Sequence, residues 1–168
     1  MRFRAALAVV LLAGCGKGHV DPPACELALG TALQSGTGFV EMPLETEMTP
    51  GGQGGFHVWL AYRIKNAPEG SLKASHEVRR ESDGKLLSRG DRKLEVTGYD
   101  DDGWWTSDTA TPAFLCPTPL GVTVIDLPAT IDVTLSDADG NTLATQRVST
   151  KLVCPAAQLD SCQRICTG

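Results

Sequence analysis

Along most of the chain hydrophobic and polar residues alternate with a period of two. The clearest run is Gly55 to Lys65, GFHVWLAYRIK. There Phe56, Val58, Leu60, Tyr62 and Ile64 alternate with His57, Trp59, Ala61, Arg63 and Lys65. Successive side chains of a strand point to opposite faces, so this spacing predicts a strand with one buried side. The segment that follows, SLKASHEVRR, puts Leu72, Ala74, His76 and Val78 on one side. Ser82-Asp83-Gly84-Lys85 predicts a hairpin turn, because Gly84 tolerates a positive φ. The return through residues 85–96 repeats the alternation at Leu94 and Val96.

Later segments have the same character. AFLC runs into Cys116; GVTVIDL and TIDVTLSD read as two strands broken at Pro128, with Ile131, Val133 and Leu135 inward. Asp137-Ala138-Asp139-Gly140-Asn141 predicts a tight turn into NTLATQRVSTKLVC. CELALG and GFVEM supply opening strands, GYDDDGWW reads as a turn with bulky aromatics, and PGGQGG as a flexible loop. PAAQLDSCQRIC predicts a short helix with Pro155 near its start. Seven or eight strands with a turn every ten or so residues predict an immunoglobulin-like β-sandwich. A small β-barrel is the alternative closure.

The first residues break this pattern. Arg2 and Arg4 precede Ala5–Ala13, an apolar run without a charge, and the small residues Ala13 and Gly14 lead into Cys15. That order reads as a secretory signal. Nine apolar residues are too few to cross a bilayer, which needs about 20. Leu12-Ala13-Gly14-Cys15 resembles the lipobox of bacterial lipoproteins. The resemblance implies removal of a signal peptide at residues 1–14 and a diacylglycerol on the Cys15 thiol. Two or more acyl chains hold a protein stably where one does so marginally, at ~0.8 kcal/mol per buried CH₂. Residues 15–24 would then be a lipidated tether, since GKGHVDPPA offers almost nothing to bury and reaches at most ~30 Å. Gly16 stands where many inner-membrane lipoproteins carry Asp, which by the same resemblance points to the outer membrane. Over residues 50–155, Gly-Gly-Phe-His-Val-Trp-Leu and the late Cys…Asp-Gly…Cys-Pro also resemble a group of uncharacterised bacterial lipoproteins with predicted immunoglobulin-like sandwiches. That likeness implies a sandwich fold and brings no activity with it; the run of strands itself predicts a β-sandwich domain at 25–154, ahead of a cysteine-containing tail at 155–168.

Charge and cysteine usage narrow the partners. The net charge is −5, and without residues 1–14, which hold two arginines and no acid, it becomes 13 − 20 = −7. An acidic domain is poorly suited to nucleic acid. Beyond Cys15 lie Cys25, Cys116, Cys154, Cys162 and Cys166, an odd number that fits an oxidising compartment and allows fifteen arrangements of two bridges and one spare. Cys116 and Cys154 each stand before a proline at the end of an apolar run and are the expected pair. Their bridge would contribute roughly 4 kcal/mol on the chain-entropy model. Cys25, Cys162 and Cys166 would then lock the tail onto the first strand.

Candidate chemistry is sparse. His57 and Trp59 face outward and, with Arg63, could line a ligand groove; a face covered by a loop is the plainer reading. His57 and His76 lack any metal-ligand spacing. Asp100, Asp101 and Asp102 crowd three carboxylates into one turn that calcium would relieve, although Gly98 stands where an EF-hand loop has its first acid, and a solvated turn explains them as well. Trp104 and Trp105 would make a platform for a sugar ring if exposed, and core or loop packing if not. Arg89-Gly90-Asp91 is too short to count. No Gly-x-Ser-x-Gly, Cys-x-x-Cys or His-Glu-x-x-His occurs, and PGGQGG precedes a strand, the wrong context for a phosphate cradle. The sequence therefore predicts a non-enzymatic envelope lipoprotein without a cofactor. It would act as a structural or interaction module whose partners are the membrane, through Cys15, and an envelope protein or glycan. The alternative is a carbohydrate- or calcium-binding module.

Overall fold

A computed structural model describes residues 23–33 and 35–168. The expected signal peptide at 1–14, Cys15 and all of the expected tether at 15–24 except Pro23 and Ala24 lie outside the described residues. The strands are β1 (Glu26–Thr31), β2 (Val40–Glu41), β3 (Glu45–Glu47), β4 (Thr49–Pro50), β5 (Phe56–Lys65), β6 (Gly70–Arg80), β7 (Leu86–Val96), β8 (Trp104–Thr106), β9 (Thr111–Cys116), β10 (Pro128–Ser136) and β11 (Thr142–Val153). Seven of them, β1, β5, β6, β7, β9, β10 and β11, have six residues or more and form the body of the fold. They make two separate sheets, so the molecule is an immunoglobulin-like sandwich and the barrel is not formed.

In the first sheet β5 is central. Along one edge it pairs with β1 (Glu26 opposite Lys65) and β4 (Thr49 opposite His57); along the other it pairs with β8 (Lys65 opposite Trp104) and β9 (Leu60 opposite Thr111). The second sheet runs β3-β11-β10-β6-β7, antiparallel except for β3, which lies parallel to the end of β11. The inward set of β5 is buried as its alternation requires: Leu60, Tyr62 and Ile64 have no exposed surface. Facing them from the second sheet are Leu72, Val78, Ile131, Val133 and Leu135. Full burial of such a side chain is worth about 1.5–3 kcal/mol. The exposed ion pairs on the outer face of the second sheet, Lys73–Asp91, Arg79–Glu77 and Arg147–Asp132, are worth about 0–1 kcal/mol each. The core, and not the surface charge, holds the sheets together. Alternating charges Arg89, Asp91, Lys93 and Glu95 on edge strand β7 discourage pairing with another chain.

One expected strand is absent. GVTVIDL is a loop, although Val122 and Val124 are each only 1% exposed. Its backbone is spent elsewhere: Val124 N donates to Cys166 O and Asp126 N to Leu152 O, and Asp126 takes a φ of 56°. The period of two signalled burial correctly, but the partner is the C-terminal tail. That tail is a 3-10 turn (Ala156–Gln158) leading into α1 (Leu159–Cys166), after Pro155 as expected.

The disulfides also differ from expectation. Cys116 pairs with Cys166, and Cys154 with Cys162; Cys25 carries no bridge among the described residues. Cys116 ends a strand of the first sheet and Cys154 follows one of the second, so a direct bridge would have to span the sandwich. Instead α1 presents Cys162 and Cys166, one turn apart and both fully buried, and each takes one strand end. An eight-residue helix is marginal alone. Closing 50 and 8 residues contributes on the order of 4 and 2.5 kcal/mol by the chain-entropy model, which is ample to fix it.

The molecule thus has two distinct ends. At one end, called the tether end after the segment expected to precede it, the described chain begins, with Asn66 Nδ2 donating to Ala24 O, beside the turns at 66–69, 97–103 and 137–141. At the cystine end lie α1, the loop at 117–127 and the β4–β5 hairpin.

Candidate functional site

Two clusters occupy the outward side of β5. At its cystine end the register sets Phe114 of β9 opposite His57 and Pro112 opposite Trp59. His57 packs edge-on against Trp59, with ring centroids 4.5 Å apart, and lies 5.5 Å from Phe114. The glycine-rich hairpin at 49–55 folds over them, closed by Gly51 N donating to Gly55 O and Gly54 N to Gly51 O. Glycine is required at Gly55, where a Cβ would stand 2.4 Å from Cys116 O. At Gly51 a Cβ would stand 3.6 Å from His57 Nδ1, so the roof over the imidazole is bare backbone.

Between this roof and β9 is a cleft of about 710 Å³. Its walls are Pro50, Gln53, His57, Trp59, Phe114 and Pro117 among others, and no charged side chain lines it. His57 is 4% exposed, and neither of its ring nitrogens nor Trp59 Nε1 has a hydrogen-bond partner. Burial pushes the His57 imidazole below the ordinary histidine range, so it is neutral at pH 7. A neutral imidazole offers one donor and one acceptor. Phe114, by contrast, is 63% exposed at the rim. His57 and Trp59 are therefore both covered by a loop and part of a cleft wall.

The second cluster sits at the tether end, beyond Ala61. Arg63 lies 5.1 Å from the Trp104 ring and 5.7 Å from Phe39, and pairs with Asp100 at 3.3 Å. Lys65 covers the same Trp104 ring at 5.7 Å. Arg63 thus does not line the His57 cleft. Trp104 and Trp105 fall on opposite faces of β8: Trp105 opposes the inward Ile64 and packs on the core, while Trp104 lies under the two cations. Adjacent residues in a strand cannot share a face, so the two indoles form no common platform.

Asp100 to Trp104 is a structural turn. Asp100 Oδ1 accepts from the backbone N–H of Asp102 (3.1 Å) and Trp104 (2.7 Å), and Gly103 adopts a φ of 78°. The turn at Asp137 is its counterpart. There Asp137 Oδ1 accepts from Asp139 N and Asn141 N, and Gly140 has a φ of 88°. In both, the first carboxylate is spent on backbone, and Asp100 is further held by Arg63. Among the described residues no group of three or more His, Cys, Asp or Glu is placed to hold a metal ion. His57 and His76 belong to different sheets; His76 points into the sandwich, 3% exposed, and burial lowers its pKa against the opposing pull of Asp91. Gly90, the middle of Arg89-Gly90-Asp91, makes room for that ring: a Cβ there would stand 2.9 Å from His76 Cε1.

The hairpin roof and Phe114 were not identifiable as site residues from local patterns. The usable signal was that an outward His-x-Trp pair followed directly on a glycine-rich segment able to fold back over it.

No protein-family model matches the chain, and no curated protein sequence matches it. Among solved structures it is similar to a calcium-binding mutant of Bacteroides uniformis β-glucuronidase 2, at 19% identity and a TM-score of 0.42 over 74% of this chain and 13% of that one. It is also similar to a Mobiluncus mulieris adhesin containing intramolecular disulfide, isopeptide and ester-bond cross-links, at 12% identity and a TM-score of 0.44 over 75% of this chain and 57% of that one. The chain spans little more than half of the adhesin chain and far less of the glucuronidase.

Proposed function

We propose that this chain is a lipid-anchored protein of the bacterial cell envelope, held at the outer membrane by acyl chains on Cys15, whose sandwich is a non-enzymatic interaction module. The reading rests on Leu12-Ala13-Gly14-Cys15, which resembles a lipobox and stands nine residues before a sandwich fastened by two disulfides. Disulfides of this kind persist in oxidising compartments, which agrees with export. The cleft supports binding over catalysis. It has no carboxylate or thiol, and His57 has neither a nucleophile nor an orienting acid within hydrogen-bond reach.

Mass spectrometry of the mature polypeptide tests the anchor. The expected product starts at an acylated Cys15, and a Cys15→Ser variant should leave the membrane fraction for the soluble one. Membrane association unchanged by that substitution would overturn the reading.

A further inference from the structure

We infer that the cleft between the glycine-rich hairpin and β9 binds a neutral sugar ring of an envelope polysaccharide, with Phe114 as its platform, His57 as its hydrogen-bonding group and Trp59 in its wall. This inference rests on the reading of the sandwich as an interaction module and is independent of the lipid anchor.

Charge selects the ligand first. No Asp, Glu, Lys or Arg lines the cleft, so an ionised ligand would lose its hydration without gaining a partner. Polarity selects next. Two buried polar atoms of the cleft-lining His57, Nδ1 and Nε2, stand unpaired, although buried polar groups are ordinarily hydrogen-bonded. One of them is a donor and the other an acceptor, because the imidazole is uncharged. A sugar hydroxyl both donates and accepts and satisfies either kind. A proline-rich peptide offers chiefly carbonyl acceptors and would leave the imidazole acceptor empty. The exposed Phe114 ring adds an apolar face of the kind on which the C–H side of a sugar stacks.

Size and position agree. About 710 Å³ lies within the usual range of small-ligand sites. On the Gly51 side of Nδ1 the hairpin carries no side chain, and the hydrogen bonds of Gly51 are internal to its own loop. From Lys65 to His57 β5 runs about 26 Å at ~3.3 Å per residue, which sets the cleft at the end away from the tether.

The test uses the full-length protein in phospholipid nanodiscs free of glycolipid. It is titrated with the neutral oligosaccharides of maltose, cellobiose and chitobiose, with a polyuronate fragment, and with a proline-rich peptide. His57 ring and Trp59 indole resonances report occupancy, alongside calorimetry. At least one neutral oligosaccharide should shift both resonances saturably. Phe114→Ala should weaken its binding about tenfold, Phe114→Tyr should restore it, and Trp104→Ala at the other end should not matter. The resonance shifts in the unmodified protein decide the case should Phe114→Ala lower the melting temperature. The inference is overturned by silence of both resonances toward every neutral sugar at about 10 mM, where even millimolar sites fill. Binding that survives Phe114→Ala, or a response to the peptide or polyuronate alone, also overturns it. Capture of a purified envelope protein with no sugar response would sink this inference and leave the interaction module standing.

Discussion

The tether end and the cystine end solve the same problem, closing an open sandwich, by different chemistry. At the tether end closure is by short turns in which an aspartate side chain replaces missing backbone partners, at Asp100 and again at Asp137. At the cystine end a helix too short to stand alone is drawn across both sheets by two bridges. Each Asx turn trades hydrogen bonds with water for internal ones, at a net gain of about 1 kcal/mol. The longer bridge contributes on the order of 4 kcal/mol. Both bridges among the described residues thus lie at the end of the sandwich that also carries the cleft.

The largest expected effect breaks that contrast directly. Removing the Cys116–Cys166 bridge as a double Ser variant should cost on the order of 4 kcal/mol in denaturant unfolding, and the Cys154–Cys162 pair about 2.5. A reductant that leaves the wild-type midpoint unmoved would show that the tail is not fastened in this way. Next comes the hairpin roof. Gly55→Ala forces a Cβ to within 2.4 Å of Cys116 O and should cost about 1–3 kcal/mol, whereas Gly52→Ala meets nothing within 4 Å and should stay within about 0.5. Thermal melts of the two variants side by side separate a required glycine from a tolerated one.

At the tether end the effects are smaller and should match. Asp100→Ala and Asp137→Ala should each cost about 1 kcal/mol, and millimolar calcium should leave the melting temperature of the wild type unchanged. Unequal losses, or a calcium-dependent rise, would mean that one turn does more than close the fold.

The last effect is a slope. Burial holds the folded pKa of His57 and His76 below the ordinary value of 6.5. Well above pH 6.5 both are neutral in either state and their contribution is complete. As pH falls below 6.5 the unfolded chain takes up protons that the folded one refuses, and stability declines down to the folded pKa values. His57→Phe should flatten part of that decline. A second, lower window belongs to Asp83, whose carboxyl Arg80 holds at about 2, so its contribution is lost between about 3.8 and 2.

Much of the framework was legible because it depends on local periodicity. The alternation in GFHVWLAYRIK identified the buried side of β5 residue by residue, and Ser82–Lys85 and Asp137–Asn141 were readable as turns from glycine and aspartate chemistry. The failures are all questions of partner. Val122 and Val124 carry a strand's alternation but pair with no strand: Val122 N donates to Pro119 O within its own loop and Val124 N to Cys166 O at the end of α1. Cys116 and Cys154 end matching runs but lie in different sheets. Trp104 and Trp105 are neighbours in sequence and opposites in space. Half of the cleft was visible as His57 and Trp59. The other half required the pairing of β5 with β9 and the fold-back of the hairpin, which no stretch of residues encodes by itself.

The bridges are nested, Cys154–Cys162 lying inside Cys116–Cys166, with Cys25 ahead of both. A polypeptide emerging amino end first presents Cys25 and Cys116 ahead of Cys154, Cys162 and Cys166. Joining thiols in order of arrival would couple Cys25 to Cys116. From that pairing the observed arrangement is reached only by sulfur exchange, in which a free thiolate attacks the mispaired disulfide.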